Sequence, residues 1–222
     1  MFGPIFVINP NRSEAVTHGI DRAVERFRLP GGPRIECLTL AVGPDAVQSQ
    51  ADMARIALPL LDLARQHDMN ASAFVIACFS DPGLALLREQ CQTPVLGIGE
   101  SAILEALALG ERFGVIAMSD ASRGRHLRSY AAMGVCSRFA GECALALGME
   151  QLQDRDTTLT RLIEVGRTLT VAHHADTLIM GCAGLATYRT ILQDELGVPV
   201  IDPCQAAVAH ALGRACLNRE TL

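Results

Sequence analysis

A chain of 222 residues, half of them apolar, can bury a sizeable core as one large domain or two small ones. Its 19 basic and 24 acidic side chains leave a net charge of −5 with no Lys/Arg block, which argues against a nucleic-acid or anionic-membrane binder. The opening MFGPIFVINPN has no basic start and only a short apolar run, so neither a signal peptide nor a membrane span is expected there, and a cytoplasmic location follows as the expectation.

Along the chain, short apolar runs at 4–8, 35–40, 73–77, 94–98, 113–117, 177–181 and 198–201 predict strands buried on both faces. A further short strand is expected near 135–139. Helical spacing marks 14–28, 49–68, 83–91, 101–109, 122–133, 141–148, 157–173, 185–195 and 204–217. Such alternation builds parallel sheets from right-handed βαβ units, hence an α/β fold.

Eight cysteines stand at 37, 78, 91, 136, 143, 182, 204 and 216, and none forms a CxxC pair. For Cys37, Cys91, Cys136, Cys143 and Cys216 the sequence predicts small buried hydrophobes. Cys78 and Cys182 differ, because each ends an apolar run that then breaks sharply: FVIACFSDPG and TLIMGCAGLA. Aligning the two (182 − 78 = 104) brings out a repeat. Each is followed by a turn and a helix, then by a Pro-Val strand, Pro94-Val95 lying 16 residues after Cys78 and Pro199-Val200 lying 17 after Cys182. Beyond those strands come polar turns and Ala/Leu-rich helices, and upstream GPIFVINPN matches RFGVIAMSD.

The repeat implies two pseudo-symmetric lobes, each a short parallel sheet flanked by helices, one formed by 1–98 with 204–222 and the other by 99–203. Ligands of open parallel sheets sit beyond the carboxyl ends of the strands. Both thiols are expected at such ends, facing one cleft between the lobes.

INPN with Ser13, ACFSDPGL, PVLGIGES, RFGVIAMSD, GCAG and VPVID together resemble the aspartate/glutamate racemase superfamily, most closely its hydantoin and allantoin racemase branch. The resemblance runs along nearly the whole chain. It implies two similar α/β lobes with a small-molecule substrate between them, no cofactor, no metal, and a homo-oligomer. It also implies that one cysteine removes the α proton and the other returns a proton to the opposite face, which makes Cys78 and Cys182 the catalytic pair. Asn9, Ser13, Phe79, Ser80, Ser119, Ala183 and Gly184 are the expected substrate contacts. Family members often carry paired Thr where this chain has Met118-Ser119.

The chemistry suits the residues. A thiol, with an ordinary pKa of about 8.5, can serve as base when ionised and as acid when not. A helix following each cysteine would offer N–H groups and a positive dipole end to a thiolate or an enolate. A hydantoin-type ring acidifies its own α C–H through the adjacent carbonyl, so racemisation of such an amino-acid-derived substrate needs no electron sink.

Other readings compete at several positions. Ser80 or Asp81 suits the cap of a helix beginning at Pro82. Turn chemistry alone would select Asn9, Asn11 and Ser13. GIGESA at 97–102, with Asp120 ending the next strand, fits a dinucleotide fingerprint, but the matching DPCQAA lacks both glycines and a helix-entry turn is the better reading. His173-His174 has no accompanying ligand pattern, so a helix end is expected rather than zinc. A Cys–His–Asp hydrolase leaves the second thiol without a role. Within the superfamily, aspartate/glutamate racemase, maleate-type isomerase and arylmalonate-type decarboxylase chemistry are the near alternatives, and a bilobal binding protein is the distant one.

Overall fold

Ile5–Asn9 (β1) is buried at all five positions, as a strand covered by helices on both faces requires. Around it Ile35–Thr39 (β2), Ala73–Ile76 (β3) and Val95–Gly97 (β4) complete a parallel sheet in the order β2-β1-β3-β4. This is the first of two compact units into which the chain divides in a computed structural model that describes residues 2–217. The first unit is Met1–Ser101 with Cys204–Leu222 and the second is Ala102–Pro203. Met1 and residues 218–222, which the sequence assigns to the first lobe, lie outside the described residues.

Helices Glu14–Val24 (α1), Gln50–Arg65 (α2) and Leu84–Gln90 (α3) flank the first sheet. Ser49 and Asp52 start α2 with a reciprocal capping box, which satisfies N–H groups that the helix itself leaves open. Ile56, Leu60 and Ala64 then recur every four residues along its buried face. They meet Phe6, Ile8, Phe74 and Ile76 from the sheet in one apolar cluster.

The second unit repeats the plan. Phe113–Ala117 (β5), Phe139–Ala144 (β6), Thr177–Met180 (β7) and Val200–Ile201 (β8) form a parallel sheet in the order β6-β5-β7-β8. Ile98–Leu109 (α4) leads into it from the first unit; Arg123–Ala132 (α5), Met149–Gln153 (α6), Arg155–Arg167 (α7) and Arg189–Leu196 (α8) follow, and Pro203–Leu217 (α9) leads back. Its core gathers Ile116, Leu162, Val165, Leu169, Leu178, Met180 and Leu192. Even the bonds at the strand ends correspond. Ala77 N–H donates to the Ile8 carbonyl at 2.9 Å as Gly181 N–H does to Ile116 at 2.8 Å, and Leu40 N–H donates to Asn9 at 2.9 Å as Leu145 N–H does to Ala117 at 2.8 Å.

Three expectations need correction. Residues 141–148 are not a helix: β6 runs to Ala144, a turn follows, and α6 begins only at Met149. Ala/Leu spacing there fits either element, and the pairing with β5 decides it. Glu142, which a surface helix would expose, is buried on this strand against His126 Nδ1 at 2.8 Å and the Tyr130 hydroxyl at 3.3 Å. The strand expected near 135–139 begins only at its last residue, since Cys136–Arg138 is a 3-10 turn. Finally, Cys136 and Cys216 are exposed rather than buried. Cys37 is half-buried, and that burial, with Asp21 nearby, pushes its thiol up to about 12. Among the described residues no helix is long and apolar enough to cross a membrane.

Candidate active site

In the first unit the strand β3 ends at Ile76 and the half-buried Cys78 follows two residues later. Its turn is tightly fixed. Asp81 N–H donates to the Cys78 carbonyl at 2.9 Å, and Asp81 itself lies in the left-handed region at φ 46°, uncommon for residues other than glycine. Gly83 is left-handed too, at φ 71°, so α3 begins at Leu84 and not at Pro82. Neither Ser80 nor Asp81 therefore caps the helix that follows.

Asp81 instead reaches a different helix. One carboxylate oxygen accepts from Gly99 N–H at 2.9 Å and the other from Glu100 N–H at 2.7 Å, both in the first turn of α4. The two glycines of GIGES exist for this contact. A methyl group on Gly97 would collide with the Asp81 carboxyl, and one on Gly99 with the Phe79 carbonyl oxygen. The dinucleotide-like pattern thus does form an anion seat at a helix N-terminus, and the protein's own carboxylate fills it. Burial pushes the Asp81 carboxyl up to about 7, while the Gly99 and Glu100 N–H groups pull it down; the Glu100 charge adds to the rise and Arg88, paired to Glu100 at 2.7 Å, opposes it.

The other expected contacts of this unit fall around the same strand ends. Phe79 is buried and Ser80 half-buried. Asn9, at the carboxyl end of β1, is wholly buried. Its Nδ2 lies 3.0 Å from Asn11 Oδ1, 3.1 Å from the Ser13 carbonyl oxygen and 3.0 Å from Thr17 Oγ1, and its Oδ1 accepts from Asn11 N–H at 3.2 Å. Thr17 continues the chain to Thr39 at 2.6 Å. Ser13 caps α1, its hydroxyl accepting from Val16 N–H. The Asn9 amide is thus engaged in holding its own loop.

In the second unit β7 ends at Met180, and Cys182 again follows two residues later, half-buried against the apolar core. Burial pushes its thiol up; Gly184 N–H, pointing at the sulfur, pulls it down, and the charge of Asp202 pushes it up further. Asp202 is buried directly after β8. Ala183 is buried and Gly184 exposed. Leu185 is buried in the unit's core, and a 3-10 turn at Ala186–Tyr188 precedes α8. Ser119 is exposed, and its hydroxyl accepts from Ala121 N–H at 3.2 Å at the start of a 3-10 turn.

Sequence reasoning assigned Asp81 to the wrong helix and passed over Asp202. The signal for both lay in the repeat. Gly97 and Asp202 occupy corresponding positions (202 − 97 = 200 − 95 = 105), as do Asp81 and Leu185 (185 − 81 = 104). His173 closes a π-helical turn and lies against the backbone of Gly141, while His174 takes φ 56°. Among the described residues no three His, Cys, Asp or Glu side chains are grouped as a metal ion would need.

Each unit therefore presents a half-buried thiol just beyond the carboxyl end of its third strand in chain order, and in the second unit the Gly184 N–H and the Asp202 charge act on that thiol. Residues 5–211 match the sequence profile of the Asp/Glu/hydantoin racemase family. A hydantoin racemase of Paenarthrobacter aurescens is 30% identical over 98% of this chain and 93% of its own. One of Rhizobium meliloti is 31% identical over 93% of this chain and 86% of its own. Among solved structures, allantoin racemase from Klebsiella pneumoniae superposes with a TM-score of 0.87 at 31% identity, covering 97% of this chain and 88% of that one. With the profile spanning nearly the whole chain, this protein belongs to the Asp/Glu/hydantoin racemase family and is a racemase by enzyme class.

Proposed function

We propose that the chain is a cofactor-independent racemase of a hydantoin-type or closely related amino-acid-derived ring, with Cys78 and Cys182 acting as acid and base on opposite faces of one α carbon. The observation that carries this reading is the paired placement of the two thiols: each stands two residues past the end of a buried parallel strand, β3 or β7, in sheets of the same order. In one direction a thiolate takes the α proton, the electron pair moves onto the ring carbonyl as an enolate, and the opposite thiol returns a proton to carbon. Reversal exchanges the roles. Backbone N–H groups at the turns, Gly184 N–H among them, favour the anionic sulfur.

Burial and Asp202 favour the neutral form of Cys182. Asn9 and Ser13 contribute by shaping the loop after β1, while Phe79, Ser80, Ala183, Gly184 and Ser119 border the substrate. The similarity to hydantoin and allantoin racemases supports the ring class.

The test is a panel of enantiopure 5-substituted hydantoins, allantoin, aspartate, glutamate and an arylmalonate, followed by polarimetry and by exchange of the α proton in deuterated water. Loss of rotation with deuterium incorporation from a hydantoin or allantoin is the expected result. Decarboxylation of the arylmalonate without racemisation of any ring would replace this reading with the one-thiol alternative.

A further inference from the structure

The mechanism above uses the sulfur of Cys78 but leaves open what aims it. The turn carrying Cys78 has two unusual properties. It places a non-glycine residue, Asp81, in left-handed backbone, and it spends both oxygens of that residue on the N–H groups of a helix 18 and 19 positions further along. Strain of this kind costs of order 1–3 kcal/mol and persists only where surrounding contacts over-determine it. Here they do: Asp81 N–H holds the Cys78 carbonyl at 2.9 Å, the carboxylate holds α4, and Gly97 and Gly99 are bare where any side chain would displace the carboxyl or the Phe79 carbonyl.

We infer that Asp81 is a positioning residue for the reaction: it ties the Cys78 turn to the N-terminus of α4 and so fixes the direction in which the Cys78 sulfur approaches substrate. The inference rests on the racemase reading for its kinetic consequence, though not for its geometric one. The second unit supports it by contrast. At the position corresponding to Asp81 it has Leu185, secured by core packing, and at the position corresponding to Gly97 it has Asp202. Each unit keeps one carboxylate at this junction, supplied from the cysteine turn in one and from the strand end in the other. A carboxyl at 97 and one at 81 could not share the space, and the chain carries only one of them.

Asp81→Asn keeps the shape but offers one acceptor where two N–H groups wait, so the tie is halved. Iodoacetamide labelling, mapped residue by residue, should then modify Cys78 faster, because the turn loosens, while Cys182 keeps its parental rate. In the same variant kcat should fall by about 10- to 100-fold with KM little changed, since misplacement of a reacting group costs turnover more than binding. Faster chemistry at Cys78 with slower catalysis, while the half-buried Cys37 and Cys91 of the same unit keep their parental rates, is a pattern that destabilisation of the unit would not give, because that would expose all three. Asp81→Gly provides the second variant: glycine accepts the left-handed backbone, so the turn is retained while the carboxylate is lost, and the same selective shift is expected. Labelling of Cys78 at the parental rate in either folded variant, or equal acceleration at Cys78 and at Cys37, Cys91 or Cys182, would overturn the assignment. The labelling needs no substrate. If no ring is racemised but Cys78 alone responds to Asp81, the racemase reading fails and the positioning role stands.

Discussion

The turn after β3 and the turn after β7 begin alike and are secured by different physics. Both leave a strand buried at every position, both donate a backbone hydrogen bond back to the neighbouring strand, and both place a thiol at the second residue past the strand. Three residues later they part: Asp81 makes charge-assisted bonds to Gly99 and Glu100, while Leu185 fills part of the unit's apolar core. A hydrogen-bonded tie is directional and a packed leucine is not. The repeated scaffold thus places a thiol alike in both units while each unit secures the turn in its own way.

The largest effect should come from the feature the turns share. In the proposed two-thiol mechanism, replacing Cys78 or Cys182 by Ser removes the acid/base group from one face, and racemisation should fall by about 10²- to 10⁴-fold or more. Each variant should still exchange the α proton of one enantiomer in deuterated water, and the two should prefer opposite enantiomers. Racemisation at the parental rate by either folded variant would show that the thiols do not divide the faces between them.

A smaller effect should come from where the turns differ. Leu185→Ala empties a buried site and should cost about 2–5 kcal/mol of unfolding free energy, read from the denaturant midpoint with the slope unchanged. Asp81→Asn should lower that midpoint less, since it weakens a hydrogen-bonded tie and leaves no apolar cavity. Equal losses would mean that the carboxylate supports the first unit as much as the leucine supports the second.

The subtlest effect concerns protons. Because burial and Asp202 push the Cys182 thiol up, its labelling by iodoacetamide should rise only at a pH above that of a small thiol such as glutathione. The sign follows directly: a negative neighbour disfavours the thiolate, so Asp202→Asn should move the Cys182 midpoint to lower pH. A midpoint that stays or rises would remove Asp202 from the account.

Most of the architecture is legible from unbroken apolar runs, because a parallel strand covered on both sides has no polar face to hide; β1, β3, β5 and β7 show this. β6 escapes that logic. It is an edge strand with a buried glutamate, and its small and aliphatic residues space themselves as a helix would. At the candidate site the cysteines announce themselves through the repeat, whereas the role of Asp81 is invisible locally. Its partners lie beyond another helix and a strand, and the glycines that accommodate it imitate a phosphate loop. The motif had the right kind of ligand, an anion at a helix start, and only the fold reveals that the anion is internal. Ser13 and Ser119 show the converse: the caps they form are readable from residue type, but not that one lies beside a buried network and the other at the surface.

The boundary between the units falls inside helix α4, after Ser101, and not in a linker. Cutting the polypeptide there would leave Gly99 and Glu100 on the stub Ile98–Ser101, one turn long and far too short to hold helical form alone. Asp81 would then face unformed backbone, and the Cys78 turn would lose its anchor although every residue that contacts it remained on the same fragment. The two units share one plan, yet the first is not severable at their boundary: a fragment that kept the Cys78 turn anchored would have to end α4 differently.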